Sequence, residues 1–233
     1  MTDAEHERLQ AFLDHADLPG ALQYLVSRDV ETHGRPFIHY HIGFVHRLMN
    51  NFAEAVRSYE KAIELDPDVP SFHLGLGIAF QQQGDFESAV VALNRAIELD
   101  PLFANAWNSL GLTYKMRGDL AGALKTYRRA QEMVFEAAWD WANAEGSGPT
   151  MVRLNETGEK GLLLTHECFA AVKSRLRSDL MYAVVVNNIG GCYLELGDAA
   201  AARSAFLESI EFIPDAEEYE PPFIGLRRLE RAT

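Results

Sequence analysis

The same pattern of apolar and polar positions recurs along most of this chain. Apolar or small residues recur every three or four positions over runs of about 13 residues, which is the helical period. Polar pairs such as Asn50–Asn51 and Gly84–Asp85 end these runs, and a second run with the same period follows each pair. The sequence therefore predicts pairs of helices joined by short turns, and an all-α protein.

Three segments of the chain align without gaps and begin 34 residues apart. They are NNFAEAVRSYEKAIELDP, GDFESAVVALNRAIELDP and GDLAGALKTYRRAQEMVF, starting at residues 50, 84 and 118. They define repeat units 36–69, 70–103 and 104–137, and a fourth clear unit spans 183–216. Position 8 of the four units is always glycine: Gly43, Gly77, Gly111 and Gly190. Small residues at positions 8, 20 and 27 allow two antiparallel helices to approach closely, and a proline at position 32 ends the second helix.

The segment WNSLGLTY, residues 107–114, matches the signature W-x2-L-G-x2-Y letter for letter. The chain therefore resembles the tetratricopeptide repeat (TPR) family over roughly 170 residues. The resemblance implies helix–turn–helix units stacked in a right-handed superhelix, an α-α solenoid with a concave groove. It divides the chain into a degenerate N-terminal repeat (1–35), three consecutive units (36–137), an insertion (138–182), a fourth unit (183–216) and a C-terminal capping helix (217–233).

The insertion interrupts the repeat phase. Phe135 replaces the proline that would end the second helix of unit 104–137, so we expect this helix to continue to about Ala144. We predict a non-canonical helical segment with a loop at 145–160 and an amphipathic helix over 162–176; residues 151–161 are a short helix or irregular. Trp139 and Trp141 fall on nearly opposite faces of the extended helix. One of them is therefore a candidate partner anchor, unless the insertion covers both.

The resemblance also implies that positions 2, 5, 9, 12 and 13 of each first helix line the groove. The expected partner-binding residues are Phe37, Tyr40, Phe44, Arg47, Leu74, Ile78, Gln81, Asn105, Asn108, Leu112, Lys115 and Asn187. The apolar residues suit apolar side chains or a helix, and the amides suit the main chain of an extended peptide. Chaperone-binding members have Lys and Asn at positions 5 and 9, which here are Tyr40 and Phe44, so that clamp is missing. The alternative for any one of these side chains is burial against the neighbouring repeat.

Four histidines form a further candidate site: His39, His41, His46 and His73. His39 and His73 stand at position 4 and His46 at position 11, where the signature has aromatic core residues. His39 and His46 are about 10.5 Å apart along a helix, whereas two histidines that bind one metal usually lie four residues apart. We interpret the four as packing residues; a pH-sensitive packing layer and a metal site are the alternatives.

No pattern in the sequence points to catalysis. His166 and Cys168 lie two residues apart on a predicted helix and point away from each other, so Cys168 is interpreted as a buried structural cysteine. The sequence has no Gly-rich phosphate loop and no HExxH motif. We therefore expect a non-enzymatic protein with no catalytic residue, cofactor or bound metal.

The charge of the chain narrows the partner class. With 34 acidic and 21 basic residues the formal charge is −13, which disfavours nucleic acid and favours an apolar or basic protein partner. The N-terminus lacks the regions of a signal peptide, and no apolar run approaches the ~20 residues of a membrane span, so we expect a cytoplasmic protein. The sequence therefore predicts a protein–protein interaction scaffold that binds a peptide or helix in the groove. The alternatives are a self-assembling homo-oligomer, or a regulatory subunit that holds an enzyme or small ligand through residues 138–182.

Overall fold

A computed structural model describes residues 2–32, 35–144, 150–153, 160–163, 166–178, 180–213 and 221–232. These ranges contain twelve helices and two short strands. The helices are α1 (Asp3–Asp14), α2 (Leu18–Thr32), α3 (Pro36–Leu48), α4 (Phe52–Leu65), α5 (Pro70–Gln83), α6 (Phe86–Leu99), α7 (Ala104–Met116), α8 (Leu120–Ala144), α9 (His166–Ser178), α10 (Leu180–Glu195), α11 (Ala199–Glu211) and α12 (Pro221–Ala232). The strands are β1 (Thr150–Arg153) and β2 (Lys160–Leu163).

The chain divides into two compact units, Met1–Arg117 (unit 1) and Gly118–Thr233 (unit 2). In unit 1, α3 packs on α4 and α5 packs on α6, and each second helix also contacts the next first helix: α2 with α3, α4 with α5, and α6 with α7. In unit 2, α10 and α11 form the same kind of pair, which α8 and α12 flank. These are the helix pairs that the hydrophobic period predicted. The boundary between the units falls at the turn within repeat 104–137.

The glycine at repeat position 8 sets how closely the two helices of a pair approach. A Cβ on Gly77 would lie 2.6 Å from Cγ of Leu93, and a Cβ on Gly190 would lie 2.6 Å from Cε1 of Phe206. Leu93 and Phe206 both stand at position 24 of their repeats and are buried. Because any side chain at position 8 would collide with this residue, glycine permits the tight pairing.

The Gly–Asp turns end one helix and start the next. Gly84 closes α5 with φ of 88°, in the left-handed region that glycine adopts at little cost. Asp85 then caps α6, because its Oδ1 accepts a hydrogen bond from the backbone N–H of Ser88 at 3.1 Å. Asp198 caps α11 in the same way through the N–H of Ala201 at 3.0 Å. The local sequence thus fixes the breaks at Gly84–Asp85 and Gly197–Asp198.

The degenerate N-terminal repeat is a helical pair held to α3 by a buried carboxylate. Glu5 of α1 lies 2.6 Å from Nη2 of Arg28 in α2 and 2.7 Å from Nη2 of Arg35, which precedes α3. The backbone N–H of Thr2 also donates to Glu5 at 2.8 Å. This backbone hydrogen bond, followed by that from Arg28, lowers the pKa of Glu5 to about 2. Glu5 is therefore ionised at neutral pH and links three chain segments.

The prediction that α8 continues past its repeat is confirmed, since the helix ends at Ala144. Helix α9 packs against α8 and α10. Helix α12 contacts α11 and α10, with Leu229 buried in the same cluster as Phe206. Residues 217–220 of the predicted capping helix lie outside the described residues.

The predicted loop at 145–160 and the predicted helix start at 162 are wrong for residues 150–153 and 160–163, which form strands, whereas residues 145–149 and 154–159 lie outside the described residues. Strands β1 and β2 pair in antiparallel register, Thr150 opposite Leu163 and Arg153 opposite Lys160, and α9 begins only at His166. The short apolar run LLL fits either a helix or a strand, so periodicity does not distinguish the two. Thr and Val favour strands, and strand pairing decided the outcome.

Candidate functional site

The predicted groove residues of unit 1 lie along α3, α5 and α7, which contact one another in that order. We call this set, at positions 2, 5, 9, 12 and 13 of each first helix, the first-helix stripe. Several of its apolar side chains are open to solvent. Phe37 is 43 % exposed and Met116 is 50 % exposed, and Leu48 and Leu112 are exposed as well. Leu112 and Met116 lie one turn apart on α7, so they share one face of that helix.

The aromatic part of the stripe is more buried than the sequence suggested. The ring of Tyr40 lies 5.6 Å from that of Tyr59 and 5.4 Å from that of Phe72, and burial raises the pKa of Tyr40. Phe37 contacts Phe72 at 5.0 Å but keeps its outer side open. Tyr40 therefore packs between α3, α4 and α5, and of these two rings Phe37 is the one that offers a surface to a partner.

Phe44 and Arg47 form a pair on the next turn of α3. The guanidinium carbon of Arg47 lies 5.2 Å from the centre of the Phe44 ring, a cation–π contact. Arg47 also hydrogen-bonds to Tyr59, although burial is the larger influence and raises the pKa of Tyr59 to about 12. Both side chains remain half-buried. This end of the stripe combines an aromatic face with a positive charge.

Gln81 does not belong to the partner-binding surface, and its assignment there is corrected. Its side chain is 5 % exposed, and Nε2 donates to the Ser109 carbonyl at 3.2 Å and to Oγ1 of Thr113 at 2.8 Å. Because both of its partners are on α7, Gln81 joins α5 to α7. The sequence pattern placed it on the stripe but did not indicate that the neighbouring helix covers it.

The remaining stripe residues divide between exposed and half-buried positions. Asn105 is exposed, whereas Leu74, Ile78, Asn108 and Lys115 are half-buried. Asn187 lies on α10 in unit 2, where its Oδ1 is shielded from solvent and makes no hydrogen bond to the described residues. In unit 1 the polar end of the stripe therefore carries the exposed amide of Asn105 two turns before the exposed Leu112 on α7.

The histidines make hydrogen bonds and packing contacts. Nε2 of His73 lies 2.8 Å from the Pro67 carbonyl, the same bond that Nε1 of Trp107 makes to Pro101 at 2.9 Å. His73 is buried, and its ring therefore reproduces the contact of the signature tryptophan at position 4. Nε2 of His39 lies 3.2 Å from Oδ1 of Asp29.

The other two histidines have depressed pKa values. Burial, followed by the charge of His6, lowers the pKa of His41 to about 4. Burial, followed by the charge of Arg57, lowers the pKa of His46. Both imidazoles are therefore neutral at physiological pH. Among the residues that the structure describes, no group of three His, Cys, Asp or Glu side chains is close enough to hold a metal ion.

The tryptophans near the insertion differ in exposure. Trp141 is 39 % exposed, with the guanidinium carbon of Arg175 lying 5.7 Å from its ring centre. Trp139 is half-buried and stacks on Phe135 at 6.2 Å. The side chains of His166 and Cys168 lie outside the described part of the chain. Of the two tryptophans, Trp141 is therefore the more exposed, and the guanidinium of Arg175 already lies over its ring.

Sequence reasoning missed two surface clefts, each between the second helices of consecutive repeats. The α4–α6 cleft, in unit 1, has a volume of about 850 Å³ and is mostly apolar. The α8–α11 cleft, in unit 2, has a volume of about 420 Å³ and a more polar lining. Each of the ten residues that line the second cleft has a counterpart at the same repeat position in the first. The two clefts could have been identified from the sequence by aligning the repeats and comparing the residues at these cleft-lining positions.

No helix within the described ranges is both long enough and apolar enough to cross a bilayer.

Comparison with known proteins gives consistent results. A sequence profile described as "TPR repeat" matches residues 43–84, and two described as "Tetratricopeptide repeat" match residues 74–140 and 183–215. Together these matches span more than half of the 233 residues. No curated protein sequence matches the chain.

Solved structures with a similar fold share little sequence with this chain. TTC0263, a thermophilic TPR protein in Thermus thermophilus, is 14 % identical, with a TM-score of 0.62 and coverage of 98 % of both chains. MamA from Desulfovibrio magneticus RS-1, residues 41 to the end, is 16 % identical, with a TM-score of 0.59 and coverage of 91 % of this chain and 96 % of that one. A second MamA structure is 17 % identical, with a TM-score of 0.57, covering 88 % and 93 % respectively.

Proposed function

The chain belongs to the tetratricopeptide repeat family, and on that premise we propose that it is a non-enzymatic scaffold that binds a peptide or helix along the first-helix stripe of unit 1. TPR units are protein-interaction modules, which supports the general class. The observation that carries the specific proposal is the set of exposed apolar side chains on the stripe. Phe37, Leu112 and Met116 are open to solvent on helices whose other residues are mostly buried or half-buried. Exposed apolar surface of this kind usually marks a partner site.

The chemistry of the stripe describes the partner. Phe37 and the Phe44–Arg47 pair offer an aromatic face, and Leu112 and Met116 offer an aliphatic one. An apolar side chain on a peptide or helix fits both, because burial of apolar area provides most of the affinity at such surfaces. The exposed amide of Asn105 supplies a donor and an acceptor for a peptide backbone. The formal charge of −13 favours a partner that is apolar or basic.

A peptide library displayed on phage and selected against the immobilised full-length chain tests the proposal. Peptides that bind the wild type should lose about tenfold or more of their affinity for a chain with Leu112→Asp and Met116→Asp, because a carboxylate in an apolar contact is desolvated without a partner. Both side chains are exposed, so the variant should keep its helical circular dichroism spectrum.

The matched control is Val91→Asp, which introduces the same charge at an exposed position of α6, outside the stripe. Peptides that bind the stripe should bind this control as tightly as they bind the wild type. If none of the selected peptides loses affinity for the stripe variant, or if no peptide is enriched, the stripe is not the binding surface. Light scattering of the purified chain separately tests the homo-oligomer alternative.

A further inference from the structure

The α4–α6 cleft lies on the opposite side of α5 from the first-helix stripe. The stripe residues Leu74 and Ile78 and the cleft residues Leu76 and Phe80 are separated by about 160° around the helix axis, at about 100° per residue. Leu76 and Phe80 of α5 line the cleft together with Ile63 of α4. A ligand in the cleft therefore contacts a different surface from a ligand on the stripe.

The cleft exposes apolar side chains that no described element covers. Val91 of α6 lines it and is 72 % exposed, while Ile63, Leu76 and Phe80 are half-buried. The volume of about 850 Å³ is within the range of ligand-binding clefts in proteins. A concave surface lined by exposed apolar side chains is suited to an apolar partner.

The charges around the cleft favour apolar partners that also carry basic groups. Its lining includes the carboxylates of Glu60, Glu64 and Glu87 and one cation, Arg95. Arg95 lies 3.6 Å from Asp68 and 3.2 Å from Glu98, two more carboxylates. Lys61 and Arg117 pair with Glu64 and Glu87. Five carboxylates against three cations leave the rim with a charge of −2, which attracts a basic ligand.

Unit 2 contains an example of the kind of helix that suits such a surface. Helix α9 buries Val172 and Leu176 while its Lys173 contacts the carboxylate of Glu211, and Nε of Arg177 donates to the Glu211 carbonyl at 3.1 Å. Glu211 stands at position 29 of its repeat, the position that Glu64 holds at the rim of the α4–α6 cleft. Within this chain, an apolar stripe flanked by basic residues is therefore already the partner of a position-29 carboxylate.

We propose that the α4–α6 cleft docks a partner helix whose apolar stripe is flanked by lysine or arginine residues. The apolar stripe of the helix packs on Leu76, Phe80 and Val91, and its basic side chains reach Glu60 and Glu64. This goes beyond the proposed function, because the cleft and the first-helix stripe use opposite faces of α5. A chain with both surfaces holds two partners at once, one on each side of unit 1.

A synthetic amphipathic helix tests the proposal directly. The probe is a fluorescein-labelled peptide of sequence LKKLLKLLKKLLKL, titrated with the full-length chain and followed by fluorescence anisotropy. The matched control peptide has every lysine replaced by glutamate, which keeps the apolar stripe and reverses the charge. We expect saturable binding of the lysine peptide and binding at least about tenfold weaker for the glutamate peptide. Absence of saturable binding, or equal binding of both peptides, overturns the proposal.

Two single variants locate the binding surface. Val91→Asp should weaken binding of the lysine peptide by about tenfold, whereas Leu112→Asp on the stripe should leave it within about twofold. Both positions are exposed, so each variant should retain the wild-type circular dichroism spectrum. The reverse pattern would place the peptide on the stripe, which would overturn the cleft proposal and leave the proposed function standing.

Two further measurements do not depend on the introduced aspartate. Glu60→Lys with Glu64→Lys should weaken binding and flatten its dependence on salt concentration, because attraction to the rim is screened by ions. In methyl-labelled protein, the lysine peptide should shift the NMR signals of Ile63 and Val91 and leave those of Leu112 and Met116 unchanged. Shifts confined to Leu112 and Met116, or an unchanged affinity in the charge-reversal variant, contradict the proposal.

Discussion

The α4–α6 cleft and the α8–α11 cleft are built from the same positions of the 34-residue repeat, yet they have different chemistry. Position 28 is Ile63 in the first and Gln131 in the second, and position 22 is Val91 in the first and Ser204 in the second. The apolar cleft of unit 1 is about twice as large, 850 Å³ against 420 Å³. The repeat positions are shared, so the identities of the side chains at those positions account for the difference in chemistry.

Charges at the two clefts are exchanged as well. Position 25 is Glu60 in unit 1 and Arg128 in unit 2, and position 26 is Arg95 in unit 1 and Glu208 in unit 2. In unit 2 these groups are engaged with neighbours that also line the cleft. Arg128 donates to the hydroxyl of Tyr193, and Glu208 accepts from Gln131 at 3.3 Å. The polar cleft is therefore bridged by its own side chains, whereas the apolar one stays open.

This difference shows which repeat positions determine the fold and which are free to vary. Positions that face the paired helix, such as 8 and 24, keep the same kind of contact in both units, because close packing leaves no alternative. Positions that face solvent between second helices carry no such restriction. Their composition can therefore change from apolar to charged without altering the repeat.

The largest effect should come from the contact that both units share. Gly77→Leu and Gly190→Leu should each lower the free energy of unfolding by about 3 kcal/mol, since the new side chain overlaps Leu93 or Phe206. Urea denaturation followed by circular dichroism measures this. Gly84→Asn is the control, because Gly84 has open space around it and asparagine tolerates a left-handed backbone. A loss below about 0.5 kcal/mol in both leucine variants would show that the pairing is not tight.

The next effect should distinguish the two clefts at position 26. Glu208→Ala should cost about 1–2 kcal/mol, because the Tyr182 hydroxyl, which donates to Glu208 at 2.8 Å, loses its acceptor and the Gln131 amide loses one of its two. Arg95→Ala should cost less than about 0.5 kcal/mol, since its ion pairs are exposed. The same denaturation assay compares them. Equal costs at both positions would mean that the polar cleft is not bridged in solution.

A smaller effect on stability should appear at alkaline pH, where a buried tyrosine in each unit titrates. Burial, followed by the hydrogen bond to Glu208, raises the pKa of Tyr182 from 10.0 to about 12. The neutral phenol is thus favoured by the fold, so its contribution to stability is complete below about pH 10 and is lost as the pH rises from about 10 to about 12. Tyr59, whose pKa is also about 12, acts in the same direction in unit 1.

Replacing Tyr182 by phenylalanine keeps the ring and removes the proton that titrates. The variant should therefore lose less stability than the wild type between about pH 9 and about pH 11.5, as measured by urea midpoints at the two values. Tyr114→Phe, at a half-buried position, serves as the matched control. An identical pH dependence in wild type and Tyr182→Phe would show that the Tyr182 pKa is not raised by the fold.

The smallest effect should come from exchanging the residues at position 22. Val91→Ser and Ser204→Val should each change the free energy of unfolding by less than about 0.5 kcal/mol, because both side chains lie at the surface of their clefts. Thermal melting of the two variants beside the wild type tests this. A large loss in either would mean that position 22 contributes to the repeat core and is not free to vary.

Much of this fold could be predicted from the residues because it depends on local rules. The 34-residue period, the Gly–Asp breaks and the signature at Trp107 predicted TPR helix pairs, and the family match confirms them. The missing proline at Phe135 correctly predicted that α8 would continue to Ala144. The pairing of β1 with β2 could not be predicted, because a short apolar run such as LLL has no period of its own.

The candidate site could be predicted less well from the sequence. Repeat phase assigned Phe37, Leu112, Met116 and Gln81 to one stripe, but it did not distinguish the three exposed side chains from the buried Gln81. Phase states which face of a helix a residue occupies, and it says nothing about how closely the next helix approaches that face. Gln81 lies where α7 covers α5, so its amide bridges the two helices.

The sequence alone determined the class of fold and the positions of the helices, because helical period, capping and glycine at position 8 act over a few residues or within one helix pair. Only the tertiary structure decided which surface positions are exposed and available to a partner. The packing of Tyr40 on Tyr59 and Phe72, the bridging of Gln131, Tyr182 and Glu208, and the open cleft around Val91 all depend on side chains from three helices meeting in space. Such contacts join residues far apart in sequence, and no local pattern encodes the distances between them.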